Sequence, residues 1–174
     1  MLRKFSVENY KNFQKKTTLD FTAVRDYGFN RECLRDGLLN KAILIGRNGS
    51  GKTNLGFALF DIVYTLTDNR ADAHQLDAQS FLNGDSDSDR ATFTYEFQQD
   101  QHILIYEYQK TTPSIIVYEK LTIDQTPAFE VRNGHCELHQ PALIGAQQLR
   151  LETFDGSLAF MRFVANNTPQ ANGS

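Results

Sequence analysis

Tryptophan is absent from this 174-residue chain, and cysteine and methionine occur only twice each. Cys33 and Cys136 lie about a hundred residues apart, which is not the dense disulfide framework of a small secreted domain. Reduced thiols in a cytosol are the simpler reading. An excess of one charge is also lacking: 18 Lys and Arg stand against 21 Asp and Glu, for a net charge of −3. That balance excludes a broad electrostatic pull towards nucleic acid or an anionic membrane. A few basic residues cluster near the start (Arg3, Lys4, Lys11, Lys15 and Lys16), and such short runs are ordinarily solvated faces. The opening residues mix charged with apolar side chains and so form no signal-peptide core. No apolar run approaches the roughly 20 residues that cross a bilayer. A soluble, cytoplasmic protein is the expectation.

What the chain does have is aromatic mass, with thirteen Phe and seven Tyr among 40% hydrophobic residues. At this length that suffices for one domain with a core of its own. Residues 2–9 and 17–23 read as strands, and 24–40 as a loop with a short helix. The run KAILI (41–45), continuously apolar and ended by Gly46, predicts a strand covered on both faces in a largely parallel sheet. Leu55, Ala58, Leu59, Ile62 and Leu66 then recur at helical spacing. After an exposed loop at 83–90 the period changes to two. Phe93, Tyr95 and Phe97 share a face, and Leu104, Tyr106 and Tyr108 repeat the pattern. Together with 114–124 and 128–132 these segments predict an antiparallel meander. A final helix over 155–167 would be capped by Asp155 or Ser157, with Leu158, Met161, Val164 and Ala165 inward, before a frayed end. The fold class expected is α/β.

Between KAILI and the helix lies Gly46-Arg47-Asn48-Gly49-Ser50-Gly51-Lys52-Thr53, which satisfies G-x-x-x-x-G-K-[ST]. The chemistry needs these residue types. Glycines let successive N–H groups turn around a phosphate, and the following helix adds the positive end of its dipole. Lys52 would bridge the β- and γ-phosphates of ATP, and the Thr53 hydroxyl would hold Mg²⁺. The competing reading is a glycine-rich turn with an incidental Lys-Thr. The strand pattern before the motif and the helix pattern after it favour a phosphate-binding loop.

With FSVENYKNF and LDF upstream, GRNGSGKTNL resembles the ATPase heads of the SMC, RecF and OLD-type group. It is most similar to bacterial AAA-like ATPases of anti-phage defence and abortive infection. The resemblance implies an incomplete P-loop NTPase fold of ABC type with an antiparallel β-subdomain: residues 1–67 would hold the nucleotide-binding strands, loop and helix, 91–131 the β-section, and 142–167 a helical segment. It implies Mg·ATP as ligand, and head-to-head homo-oligomers or a partner protein. In a complete head, hydrolysis would reset an ATP-closed dimer. Two other readings stay open: a nucleotide-gated scaffold in a defence complex, and a DNA-repair head, for which the charge gives no support.

Heads of this group also need an acidic Walker B strand and a signature segment, and neither is found. The resemblance places both in a C-terminal half, so the chain reads as the N-terminal part of a head. Glu107 follows the apolar run ILIY, but it sits within a clear period-two strand. Gln75 and Gln79 are the available Q-loop glutamines. Three weaker groupings carry little. His135, Cys136 and His139 would need a helix and a further ligand cluster to hold zinc. Asp85, Asp87 and Asp89 lack the glycine and closing Glu of a calcium loop. His74 and His102 have no evident Ser, Cys or Asp partner for a hydrolase site.

Overall fold

A computed structural model describes residues 1–25, 28–67, 80–141 and 156–167. It is an α/β structure in which seven strands form one sheet in the order β2-β1-β5-β6-β7-β8-β9. These strands are β1 (Leu2–Glu8), β2 (Thr17–Asp20), β5 (Ala91–Gln99), β6 (His102–Thr112), β7 (Ile115–Ile123), β8 (Thr126–Arg132) and β9 (His135–Leu138). A separate small hairpin joins β3 (Leu34–Arg35) to β4 (Leu38–Leu39). Two helices are described, α1 (Lys52–Leu66) and α2 (Phe160–Asn167). Every strand pairing among the described residues is antiparallel.

The predicted meander is present, and its alternation decides which face is covered. Phe5 pairs with Tyr95, Phe93 with Tyr108, and Tyr95 with Tyr106, so the aromatics line up across the strands. Phe93 and Tyr108 stack at 5.2 Å between ring centroids, and Phe5 meets Tyr95 at 4.9 Å. Such cross-strand pairs add to the stabilisation that burial of the rings provides. The opposite face is polar, with Ser6 bonded to Thr18 at 2.9 Å and Arg3 paired with Glu96 at 2.8 Å.

Helix α1 lies on the aromatic face. Its inward line runs Leu55, Ala58, Asp61 and Thr65, with Leu59, Ile62 and Leu66 packed against the core only in part. The predicted stripe is therefore rotated to admit a carboxylate. Asp61 Oδ2 accepts hydrogen bonds from Lys110 Nζ at 2.7 Å, Tyr108 OH at 2.8 Å and Thr65 Oγ1 at 3.1 Å. The ion pair is dry, its two side chains being 3% and 2% exposed. Register irregularities in β6 flank Lys110, which also lies 5.4 Å from the centroid of the Tyr108 ring. Tyr95 OH ties the helix a second time by donating to the Ala58 carbonyl at 2.9 Å.

Helix α2 is held by Glu119 of β7. The carboxylate accepts the N–H groups of Phe160 at 2.6 Å and Met161 at 2.8 Å, and the Tyr106 hydroxyl at 2.9 Å. A buried acid thus serves as the cap for a helix that is distant in sequence. Phe160 packs edge-on against Phe129 at 4.8 Å.

Several expectations need correction. Residues 41–45 belong to no strand, and the parallel sheet they implied is absent among the described residues. An apolar run does not by itself make a strand: it needs an edge to pair with, and none of the described strands pairs with this segment. Strand β2 stops at Asp20, short of residue 23, where the Asp20 carboxylate takes the Thr22 N–H and hydroxyl at 2.9 and 2.6 Å. Helix α2 starts at Phe160 rather than near 155, and Ala165 is exposed while Ala159, Phe160 and Val164 are buried. Asp155 and most of the predicted 142–167 helical segment, residues 142–155, lie outside the described residues.

Removing Lys110 would leave Asp61 buried without its cation. Lys110→Ala should cost about 3–5 kcal/mol in urea unfolding, and the apolar double variant Asp61→Leu/Lys110→Met should cost much less. Glu119 gives a pH test. Burial pushes its carboxyl up to about 7 against the hydrogen bonds that favour ionisation. An acid raised in the folded state stabilises most when protonated, so its contribution is complete below about pH 4.5 and is lost as pH rises through about 7. Glu119→Gln should remove that slope, up to roughly 3 kcal/mol across the window, in unfolding measured on either side of it.

Candidate phosphate-binding loop

Residues 46–53 form an exposed loop that runs into the first turn of α1. Gly51 occupies the cap position with φ 88°, and Gly49 has φ 78°, both in the left-handed region that side chains disfavour. The first helical hydrogen bond runs from Leu55 N–H to the Gly51 carbonyl at 2.9 Å. The N–H groups of Lys52, Thr53 and Asn54 are thus left without intrahelical acceptors. No side chain caps this end, and no acidic residue lies in the first turn. The positive end of the helix dipole is uncompensated there.

Lys52 folds back across the loop. Its ammonium donates to the carbonyls of Gly46 at 2.8 Å and Arg47 at 2.6 Å, with Ser50 Oγ at 3.5 Å. Three donors meet three acceptors, which closes residues 46–52 into a ring around a cation. Arg47 and Asn48 are exposed on this ring, and Thr53 is exposed just after it. The eight residues singled out in the sequence are consecutive and stand at the start of α1.

One contributor has no signal in the motif. Asn12, in the turn after β1, accepts a hydrogen bond from Asn54 Nδ2 at 2.7 Å. Its own Nδ2 lies 2.2 Å from where a Cβ on Gly51 would stand. Only the fold brings this turn beside the loop. The turn is itself unusual, since Asn9 and Lys11 both have positive φ.

The remaining candidates fall elsewhere. Glu107 alternates with Tyr106 and Tyr108, so it faces away from α1; it accepts the Thr94 hydroxyl at 3.1 Å. His102, read as lacking an acidic partner, does have one: Asp124 Oδ2 lies 2.6 Å from Nδ1. The hydrogen bond to Asp124, then its charge, raises the His102 pKa, and the pair is exposed at the β6–β7 end. His135 and Cys136 lie in strand β9, not on a helix, and Asp89 pairs with Arg90 at 2.9 Å. Among the described residues no group of three or more His, Cys, Asp or Glu is placed to hold a metal. His74, Gln75 and Gln79 lie outside the described residues. A cavity of about 740 Å³ opens beside Met1, Leu38, Phe97 and Leu104, but none of residues 46–53 lines it. The loop is the better phosphate candidate, because main-chain N–H groups at a helix start recognise an anion without a deep pocket.

No match to this chain is found among the models of protein families or among curated proteins. No described helix is long and apolar enough to cross a membrane.

The backbone at residue 51 gives a direct test. Gly51→Ala should destabilise the protein by about 1–2 kcal/mol through its left-handed φ alone. Asn12→Ala should recover little of that loss in thermal unfolding, because the Asn12 amide can swing aside whereas the backbone angle cannot change.

Proposed function

We propose that this chain binds Mg·ATP through residues 46–53, as part of an ATPase head of the ABC type. The observation that carries the reading is the closed ring of Gly46 to Lys52, with its cation inside and free helix N–H groups beside it. An arriving polyphosphate would take over the Lys52 ammonium from the Gly46 and Arg47 carbonyls and accept the N–H groups of the first turn. The hydroxyl of Thr53 would then hold Mg²⁺. The P-loop NTPase fold, a defence role and association through heads belong to this reading and rest on the resemblance of GRNGSGKTNL and its flanks. Nucleic acid has no support from charge.

Hydrolysis asks for more than a cradle. A metal-holding carboxylate, a group that positions water and a stabiliser of γ-phosphate charge are all required. Glu107, the acid nearest that pattern in sequence, lies on the far face of the sheet. The chain as it stands should therefore bind nucleotide with little turnover.

Titration calorimetry tests the binding. Wild type should bind Mg·ATP in the micromolar range or somewhat more weakly, and Lys52→Ala should not; equal heats from both would overturn the reading. Thr53→Ala should lose affinity mainly when magnesium is present, and an equal loss in EDTA would remove the metal role from Thr53.

A further inference from the structure

Asn-Gly steps begin at Asn48, Asn83, Asn133 and Asn172, and the last lies outside the described residues. Such a step can react with itself, because glycine has no side chain to keep its main-chain nitrogen away from the asparagine amide. The fold treats the three described steps differently. Asn83 is held at both ends of its amide: Nδ2 donates to the Lys11 carbonyl, and Oδ1 accepts the Asp85 N–H at 3.0 Å. Asn133 and Gly134, with φ 47° and 83°, are the two turn residues between the paired Arg132 and His135. The Asn133 N–H also donates to the Val117 carbonyl at 3.0 Å. Asn48 has no such restraint. It is exposed, and neither its side chain nor the Gly49 N–H makes a hydrogen bond among the described residues. A single long bond, Ser50 N–H to the Arg47 carbonyl at 3.3 Å, closes its turn. A Cβ on Gly49 would meet nothing within 4 Å, so there is room for the two groups to join.

We propose that Asn48 is a modification site, where the loop converts itself to isoaspartate and disables its own anion cradle. The Gly49 main-chain nitrogen, its proton lost to solvent base, attacks Asn48 Cγ. The Cγ–Nδ2 bond breaks and ammonia leaves, giving a cyclic succinimide. Water then opens the ring. Addition at Cγ yields aspartate, and addition at the Asn48 main-chain carbonyl yields isoaspartate, whose main chain runs through the former side chain. One water is consumed and one ammonia released, so no oxidant or cofactor is needed. Local charge favours the first step. The Lys52 ammonium closes this loop, and no acid offsets the dipole at the start of α1, so an anionic nitrogen is stabilised here. Isoaspartate lengthens the main chain by one carbon inside the ring that Lys52 closes. Its carboxylate also competes with phosphate for that ammonium. The modification needs no nucleotide; its effect on nucleotide rests on the ATP-binding reading.

Protein kept warm at mildly alkaline pH should be mapped by mass spectrometry over time. Residue 48 should show the mass change of amide to acid, and methyl transfer by an isoaspartate carboxyl methyltransferase should label the same peptide. Residues 83 and 133 should convert at least about tenfold more slowly, since hydrogen bonds must break before either can react. In urea the three rates should converge, which ties the difference to the fold. No conversion at 48, or conversion no faster there than at 83 and 133 in the folded protein, would overturn the inference. Converted protein, separated by anion exchange, should lose Mg·ATP binding in calorimetry while unconverted protein from the same sample keeps it. Equal binding by the two would overturn the disabling effect and leave the ATP-binding reading standing. Absence of binding by the unconverted protein would sink that reading and the disabling effect with it, while the mapping still decides the modification site.

Discussion

The carboxylate of Asp61 is buried beneath α1, and the rest of the arrangement depends on how it is satisfied. A lone charge in that position would be too costly to keep. Lys110, Tyr108 and Thr65 converge on one of its oxygens. Two of these partners come from β6 and one from the helix itself, so the bonds form only when helix and sheet sit in a single register. Apolar contacts alone would let α1 rotate or slide over a carpet of aromatic rings. The ion pair selects one seating, a plausible use for a buried pair whose net stabilisation is small.

That anchor lies two to three turns from the start of the helix, which leaves the first turn to present its N–H groups. The loop ahead of it has no core of its own. Lys52 supplies a substitute by drawing the Gly46 and Arg47 carbonyls around its ammonium. A loop organised by a cation is prepared for an anion, because the same charge that now satisfies carbonyls can be shared with phosphate oxygens. Asn12 steadies the arrangement from the other side through Asn54. Glu119 performs a related task for α2, supplying from β7 an acceptor that the helix start lacks locally.

The polar and apolar faces of the sheet follow the same economy. One face carries the aromatics and both helices. The other is a solvated surface of Thr, Glu and Arg on which Glu107 lies, remote from the loop. The segment 42–45 stands outside this division: it is exposed and pairs with no described strand.

The meander from Ala91 to Arg132 and the loop-helix junction at Lys52 were legible in the sequence, because period-two alternation and the glycine-lysine spacing are local signals. Tertiary structure alone decided the rest. It turned the α1 stripe towards Asp61, because a carboxylate at that position reads as an interruption until Lys110 arrives from 49 residues away. It brought Asn12 to Gly51 and Glu119 to the start of α2, contacts with no trace in spacing. It gave His102 an acidic neighbour from the next strand. And it left KAILI outside the sheet, because an apolar run shows that a segment seeks burial but not whether neighbouring strands exist to bury it.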